Sequence, residues 1–301
     1  MGSEWNSLGT ETWDRTLPDL AALPTLECVQ HMNQADHAVA SAVEAVLPQI
    51  AEAVDIIVGR LAQGGHLFYV GAGTSGRLGV LDAVECPPTF NTDPDMVQAL
   101  IAGGPAAIFR AQEGAEDNRV QGGVDLDAAG ARAPDAVVGI SASGNTPYVL
   151  GALEWAQRAG LKTISVSCNP LPAASQLSDV TIAVNTGPEV LMGSTRLKAG
   201  TAQKMVLNML STASMIRLGK TYKNLMVDMR PSNQKLRDRA VRIVMLAAEV
   251  DRPKAEQLIQ EAGGNTKVAI AMVLLHDTAD AARNRLAEAG HVLARVGEVP
   301  R

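Results

Sequence analysis

Two short stretches of this sequence combine glycine with small hydroxyl side chains, a combination suited to binding an anion. They are G71-A-G-T-S-G76 and S141-A-S-G-N-T146. Backbone N–H groups at the start of a helix carry partial positive charge and lack intrahelical partners, so they bind phosphate well. The candidate phosphate-binding residues are Thr74, Ser75 and Gly76 in the first stretch, Arg77 directly after it, and Ser141, Ser143, Gly144, Asn145 and Thr146 in the second stretch.

The first stretch also matches G-x-G-x-x-G, the turn that holds a dinucleotide pyrophosphate. That fingerprint requires an acidic residue about 20 positions further on, at the end of a second strand. Here the region reads P87-P-T-F-N-T-D-P-D95, a proline-rich loop with no apolar strand before its aspartates. A dehydrogenase is therefore disfavoured. The structural alternatives are a glycine turn that only packs a helix on a strand, and serines that only cap their own helices.

Two glutamates, Glu85 and Glu116, are candidates for a general acid and a general base. Glu85 stands between Val84 and Cys86 and before two prolines, a context that predicts a buried, protonated carboxyl. Glu116 lies in a charged run that more often indicates a solvated surface. A further polar segment, residues 187–198, offers Glu189, Ser194, Thr195 and Lys198, which either contact a ligand or cap the helix that follows.

Composition and charge argue against several other classes of function. The 301 residues have a formal net charge of −6, with Lys and Arg spread along the chain, so no nucleic-acid partner is expected. The sequence has neither a signal-peptide pattern nor an apolar run long enough to cross a membrane. Cys28, Cys86 and Cys168 are odd in number and far apart, which argues against a disulfide framework or a zinc site and fits a reducing cytoplasm.

The candidate residues must be positioned by strands that alternate with helices. Apolar runs predict strands at 66–70, 97–102, 136–140, 162–167 and 180–184. Alternation of this kind predicts an α/β fold with a mostly parallel sheet and helices on both faces. We expect helices at 77–84, ending before Pro87 and Pro88, around 113–118, and from Tyr148 onward.

The ends of the chain read differently from its middle. Residues 1 to about 25 are polar and turn-rich, and two helices are predicted between Leu26 and Gln63. From about Ser232 only helical periodicity is present, which indicates an appended helical bundle. The predicted organisation is an N-terminal arm and helix over residues 1–50, an α/β domain over 51–225 and a C-terminal helical, UBA-like bundle over 226–301.

Longer motifs resemble those of one enzyme family. S141-A-S-G-N-T146, with G-T-S at 73–75, is similar to the sugar isomerase (SIS) domain, a flavodoxin-like sugar-phosphate binder. The stretches GAGTSGRLGVLDAVECPPTF, EGAEDN, ISASGNTPYVLGAL, GPEVLMGSTRLKAGTAQKMVLNMLSTASM and GKTYKNLMVDM closely resemble the N-acetylmuramic acid 6-phosphate etherase family. One departure is Asn145, which stands where the family usually has arginine and brings no charge. Arg77 and Lys198 are candidates to supply the missing cation.

The resemblance implies cleavage of the D-lactyl ether of an amino-sugar phosphate in cell-wall sugar recycling, without a metal or other cofactor. A base removes the C2 proton of the opened sugar, an acid protonates the departing lactate oxygen, and water adds back. The motif match places the acid on Glu85 and the base on Glu116. It also implies a cytoplasmic homodimer. The alternatives are a sugar-phosphate isomerase on the same domain and a non-catalytic regulator of the glucokinase regulatory protein type.

Overall fold

The computed structural model describes residues 9–229 and 233–298. The strands are β1 (Leu67–Gly71), β2 (Val97–Ile101), β3 (Ala136–Ile140), β4 (Lys162–Ser167) and β5 (Val180–Ala183). The helices are α1 (Thr25–Glu44), α2 (Leu47–Leu61), α3 (Gly73–Phe90), α4 (Ala106–Phe109), α5 (Arg119–Ala128), α6 (Pro147–Arg158), α7 (Lys198–Arg217), α8 (Gln234–Ala248), α9 (Arg252–Glu261), α10 (Thr266–Leu275) and α11 (Ala279–Glu288). Short 3-10 turns lie at Gly9–Glu11, Leu20–Ala22, Ala115–Asp117, Ala173–Leu177 and Leu293–Arg295.

The strands form one parallel sheet in the order β2-β1-β3-β4-β5. Every residue of β1 and β3 is buried, which explains why these strands read as continuous apolar runs rather than as alternating patterns. Each predicted strand is found within one residue of its expected bounds, and the predicted flavodoxin-like α/β fold is confirmed. The strand order reverses between β1 and β3, so the loops that leave these strands diverge and a crevice opens between them.

The helix after β1 is longer than predicted at both ends. It begins at Gly73, so Thr74 to Arg77 lie in its first turns rather than in a loop. It also continues through Pro87 and Pro88, whose φ angle suits a helix, although each proline lacks the N–H donor and its ring crowds the carbonyl four residues earlier. The N–H of Asn91 donates to the carbonyl of Pro87 at 2.9 Å, and Asn91, at φ 49°, ends the helix.

The charged segment at 113–118 is not the predicted helix. It contains a short 3-10 turn, Ala115–Asp117, which follows Gly114 at φ 73°. Asn118 then caps a new helix, because its side-chain oxygen accepts the N–H of Gln121 at 3.2 Å. The prediction was wrong because the glycine and the capping asparagine divide one polar run into a turn and a separate helix, α5.

Helices α5 and α6 pack against each other with almost no side chain between them. A Cβ atom added to Gly122 would overlap the carbonyl oxygen of Tyr148, and one added to Gly151 would overlap the carbonyl oxygen of Arg119. The hydroxyl of Tyr148 also donates to Asp125 Oδ2 at 2.6 Å. This close contact fixes the start of α5, which follows the 3-10 turn Ala115–Asp117, relative to α6, which follows the 141–146 loop.

The chain divides into two compact units. One comprises Met1–Val84 and Asp95–Ser211 and contains the sheet, and the other comprises Glu85–Pro94 and Thr212–Arg301 and contains α8 to α11. The second unit has its own aliphatic core, including Val244 and Ile270, and the predicted helical tail is confirmed.

Lys267 is buried in the second unit, where its Nζ donates to the carbonyl of Gly219 at 2.8 Å and to Asp228 at 3.3 Å. Burial lowers the pKa of Lys267, while Asp228 opposes that shift.

No helix in the described ranges is long and apolar enough to span a membrane.

The glycine contact between α5 and α6 predicts a sharp difference between two glycine-to-alanine changes. Gly151→Ala forces a methyl group onto the Arg119 carbonyl and should lower the free energy of unfolding by about 1–3 kcal/mol or more. Gly59→Ala in α2 is the matched control, since a Cβ there meets nothing within 4 Å. It should raise stability by about 0.5–1 kcal/mol. Urea denaturation measures both, and equal effects would contradict the packing described.

Candidate active site

A cavity of about 290 Å³ lies at the carboxyl ends of β1 and β3, where the strand order reverses. Open α/β sheets bind their ligands at such a point. The cavity is lined by Glu11, Ala72, Gly73, Thr74, Ser75, Glu116, Asp117, Ala142, Ser143, Asn145, Thr146, Pro147 and Thr195. Residues predicted from both glycine-hydroxyl stretches, one predicted carboxylate and Thr195 therefore border one space.

The loop after β3 is held in shape by its own hydroxyl groups. Ser141 Oγ accepts the N–H of Gly144 at 2.9 Å and is hydrogen-bonded to Thr146 Oγ1 at 2.7 Å. Ser143 Oγ accepts the N–H of Asn145 at 3.1 Å. Gly144 has φ 75°, and a Cβ there would overlap Pro172, so glycine is required at this turn. The loop is thus preformed, with Ser143, Asn145 and Thr146 at the cavity.

The start of α6 adds an electrostatic contribution to the same place. Thr146 is the N-cap residue of α6, yet its side chain makes no capping bond to the helix and is bonded to Ser141 instead. Pro147, the first residue of α6, has no N–H, so the groups that this cap leaves unsatisfied are the N–H of Tyr148 and the N–H of Val149. Their partial positive charge acts at the cavity, where it favours an anion.

The start of α3 borders the cavity through Gly73, Thr74 and Ser75, and the hydroxyl of Ser75 has a structural role. Ser75 Oγ donates to Gln203 Oε1 at 2.9 Å, and both side chains are buried, so this hydroxyl ties α3 to α7. Gly76 approaches the carbonyl of Gly71 so closely that a Cβ would lie 2.8 Å from that oxygen. The alternative that the glycine turn packs helix on strand therefore describes part of this motif correctly.

A buried aspartate on α3 reinforces the contact with α7. Asp82 accepts hydrogen bonds from Asn208 Nδ2 at 2.7 Å, Tyr69 OH at 2.9 Å and Ser211 Oγ at 3.1 Å. Burial raises the pKa of Asp82, and the hydrogen bonds, led by the one from Asn208, act in the opposite direction. These hydrogen bonds hold α3 against β1 on one side and against α7 on the other.

Glu116 and Asp117 extend from the 3-10 turn to the cavity with exposed side chains. Exposure agrees with the expectation from their charged context, but the turn directs them to the cavity beside the hydroxyl loop. Glu11 also lines the cavity, although sequence reasoning did not identify it. The sequence showed only that Glu11 lies in a polar arm. It could not show that the arm reaches the cavity, because the contacts that bring the arm to the 141–146 loop are made by residues far away in the sequence.

Glu85 is exposed, so the prediction that it is buried was wrong. The buried residues of this part of α3 are Ala83, Cys86 and Phe90, whereas Val84 is 58% exposed. Sequence neighbours on a helix point in different directions, so apolar residues on either side of Glu85 do not imply its burial. Glu85 lies ten residues beyond Ser75, about 15 Å along the helix axis, and is not among the residues that line the cavity.

Glu189 and Lys198 are buried and engaged elsewhere. The Glu189 carboxylate accepts the N–H groups of Lys198 and Ala199, both at 2.9 Å, and so caps the start of α7. Lys198 Nζ donates to the carbonyl of Thr186 at 2.9 Å. Burial, together with the charge of Glu189, raises the pKa of the neighbouring Cys168 thiol to about 12. Glu189, Lys198 and Ser194 are absent from the cavity lining, and the capping alternative is correct for Glu189.

Neither candidate for a replacement cation lines the cavity. Arg77 Nε donates to the carbonyl of Ile108 at 2.9 Å, and the side chain borders a smaller cavity of about 150 Å³ that also contacts Glu116. Asn145 Oδ1 accepts the N–H of Ala173 at 3.0 Å, which leaves its amide NH₂ group as a donor. For an anion, the lining therefore provides neutral hydrogen-bond donors and the N–H groups at the starts of α3 and α6.

Comparison with known proteins identifies relatives that cover most of the chain. The model of the glucokinase regulatory protein N-terminal SIS domain matches residues 49–157, and the SIS domain model matches residues 126–213. The chain is 57% identical to an N-acetylmuramic acid 6-phosphate etherase of Symbiobacterium thermophilum, covering 90% of each chain. It is 53% identical to one of Cutibacterium acnes, covering 97% of this chain and 96% of the relative.

Among solved structures, a phosphoheptose isomerase from Francisella tularensis aligns with a TM-score of 0.49 and 17% identity. The alignment covers 64% of this chain and 100% of that one.

Ser143 and Ser75 have different roles, so their replacement should affect phosphate binding and stability in opposite proportions. Ser143→Ala should weaken binding of inorganic phosphate about 3- to 10-fold, because it removes one neutral donor, with a smaller effect on stability. Ser75→Ala should lower stability by about 1–3 kcal/mol while leaving phosphate binding intact, because it leaves buried Gln203 without its partner. Thermal denaturation with and without phosphate measures both quantities. Equal loss of phosphate binding in the two variants would refute this division.

Proposed function

The chain belongs to the N-acetylmuramic acid 6-phosphate etherase family, and from that membership we propose that the 290 Å³ cavity binds this sugar phosphate and carries its reaction. The enzyme cleaves the D-lactyl ether and forms N-acetylglucosamine 6-phosphate and D-lactate. We place the reaction in the cytoplasm. The observation that carries the assignment is the position of Glu116 in the same cavity as the hydroxyl loop.

The phosphate end of the substrate is assigned to the 141–146 loop and to the starts of α3 and α6. Ser143, Thr146 and the Asn145 amide supply neutral donors, and the two helix starts supply partial positive charge. Asn145 stands at a position where a cation is expected, so binding depends on these neutral groups. Thr74 and Thr195 complete the hydroxyl lining.

The reaction begins on the opened sugar, whose C1 aldehyde makes the C2 proton acidic. Glu116 takes that proton, the C3–O bond breaks, and the bonding pair leaves with the lactate oxygen, which receives a proton from Glu85. The product of this step is an unsaturated aldehyde. Water then adds its oxygen to C3 while C2 regains a proton, and the amino-sugar phosphate results. Two carboxyl groups of opposite protonation state suffice for these steps.

Glu85 is assigned as the acid by its motif, and its location leads to a proposal about assembly. It lies outside the cavity, exposed on α3 beside the exposed apolar side chains of Leu81 and Val84. A face of this kind is typical of a protein interface. We propose that the enzyme is a homodimer and that Glu85 of one protomer serves the cavity of its partner.

The matching glucokinase regulatory protein domain supports an alternative, a regulator that binds sugar phosphates without turnover. Binding alone does not require a carboxylate base beside C2. An aldose–ketose isomerase would use such a base but would not need an acid at C3. Product analysis separates these functions, because only the etherase releases lactate.

The purified protein, given N-acetylmuramic acid 6-phosphate in deuterated water, should release D-lactate and incorporate deuterium at C2. Glu116→Gln should lower kcat about 10²- to 10⁴-fold, because it removes the base but keeps the shape of the side chain. Glu113→Gln, in the same charged run but outside the 290 Å³ cavity, is the control and should retain activity. Tight binding without lactate would favour the regulator, and an unaffected Glu116→Gln variant would exclude the proposed base.

Mixing two inactive variants tests whether Glu85 acts across a dimer. Glu85→Gln and Glu116→Gln homodimers should each be inactive. When the two chains are co-expressed, half of the dimers are mixed, and each mixed dimer contains one intact site and one doubly altered site. The pool should regain about a quarter of wild-type activity. No recovery in a pool that contains mixed dimers would show that Glu85 does not serve the partner's cavity.

A further inference from the structure

The N-terminal arm brings a third carboxylate to the cavity, in addition to Glu116 and Asp117. Glu11 is half-buried and lines the same space as the hydroxyl loop. A Cβ atom placed on Gly193 would lie 3.6 Å from Glu11 Oε2, so the carboxylate lies against the segment that leads to Thr195. The family motifs that assign the acid and the base do not include this residue.

A buried asparagine fixes the position of the arm. The N–H of Thr10 donates to Asn169 Oδ1 at 3.2 Å, and Asn169 Nδ2 donates back to Thr10 Oγ1 at 3.0 Å. Thr10 and Asn169 are 0% and 1% exposed. Asn169 Nδ2 also lies 3.1 Å from the carbonyl of Ala142 and 3.3 Å from that of Ser143. The Asn169 side chain therefore holds both the 141–146 loop and Thr10, the residue before Glu11.

The charges around the cavity restrict what Glu11 contacts. Within residues 9–229 and 233–298, the lining includes Glu11, Glu116 and Asp117 and contains no lysine, arginine or histidine. A phosphate group and a carboxylate repel each other, so the phosphate lies toward the hydroxyl loop and the helix starts. The remaining partners for a carboxylate are the neutral donors of the sugar, namely its hydroxyl groups and its acetamido N–H.

We propose that Glu11 is a substrate-binding residue that accepts hydrogen bonds from hydroxyl groups of the sugar, and that the Thr10–Asn169 contact positions it. This inference rests on the proposed function of the cavity. The N-terminal arm would then help to select sugar phosphates by their hydroxyl groups. This role is separate from the proton transfers of Glu85 and Glu116. Loss of the carboxylate should weaken binding and leave the chemical step nearly unchanged.

Glu11→Ala should raise the KM for N-acetylmuramic acid 6-phosphate about 10- to 100-fold, because hydrogen bonds to a charged acceptor are strong, with kcat changed less than about threefold. The Kd for N-acetylglucosamine 6-phosphate, measured by calorimetry, should rise by a similar factor. Glu11→Gln retains one acceptor oxygen and should show a smaller increase. The control is Glu27→Ala in the first turn of α1, an exposed glutamate outside the cavity, which should behave as wild type.

Thr10→Val tests the positioning contact without touching the cavity lining. It removes the acceptor of Asn169 Nδ2 and should raise KM by less than Glu11→Ala does. The double variant should resemble Glu11→Ala alone, because the anchor acts through the carboxylate, whereas a purely structural arm would give additive losses.

Three results separate this inference from the proposed function. Lactate release by the wild type with unchanged KM and Kd in Glu11→Ala would overturn the role of Glu11 alone. No lactate, with weaker sugar-phosphate binding in Glu11→Ala, would overturn the etherase reaction and support Glu11. No binding of the sugar phosphate by the wild type would overturn both.

Discussion

The backbone contact between α5 and α6 is the constraint on which the cavity depends. The turn that carries Glu116 leads into α5, and the hydroxyl loop leads into α6. Because Gly122 and Gly151 let the two backbones touch, the spacing between the turn that carries Glu116 and the 141–146 loop is set by main-chain atoms, which cannot change rotamer. The Tyr148–Asp125 hydrogen bond holds the same pair of helices. The glycines therefore shape the cavity although they carry no reactive group.

The proposed phosphate site is unusual in the signs of the charges around it. Among the residues that the structure describes, its lining has acidic side chains and no basic ones, so the attraction for an anion comes from helix starts and neutral donors. These groups are fixed by the fold: Ser141, Ser143 and Thr146 are bonded within their own loop, and α3 is held by Ser75 and Asp82. Fixed dipoles need little rearrangement when charge develops on a substrate. An acidic lining also leaves the carboxylates free to act on the neutral part of a sugar.

The sequence predicted what depends on local pattern and missed what depends on distant contacts. The strands were predictable because parallel strands buried on both faces are apolar throughout, as in Ala136–Ile140. The helix ends were less predictable than the strands. Helix α3 continues through Pro87 and Pro88, and Gly114 divides the charged run at 113–118 into separate elements. Burial of Glu85 could not be inferred from its neighbours, because only the partners of α3 decide which face is covered. Glu11 gave no signal, since its anchor, Asn169, lies far along the chain.

Asn169 also bears on the order in which the site forms and opens. Thr10 and Asn169 are separated by 159 residues, so the arm can dock only after β4 has joined the sheet. In the part of the arm that the structure describes, release of Thr10 and Glu11 breaks the hydrogen bonds to Asn169 and leaves the strands paired, so it is a local unfolding event. Under the proposed role of Glu11, docking of this segment completes the cavity last, and its release opens the cavity while the sheet stays folded.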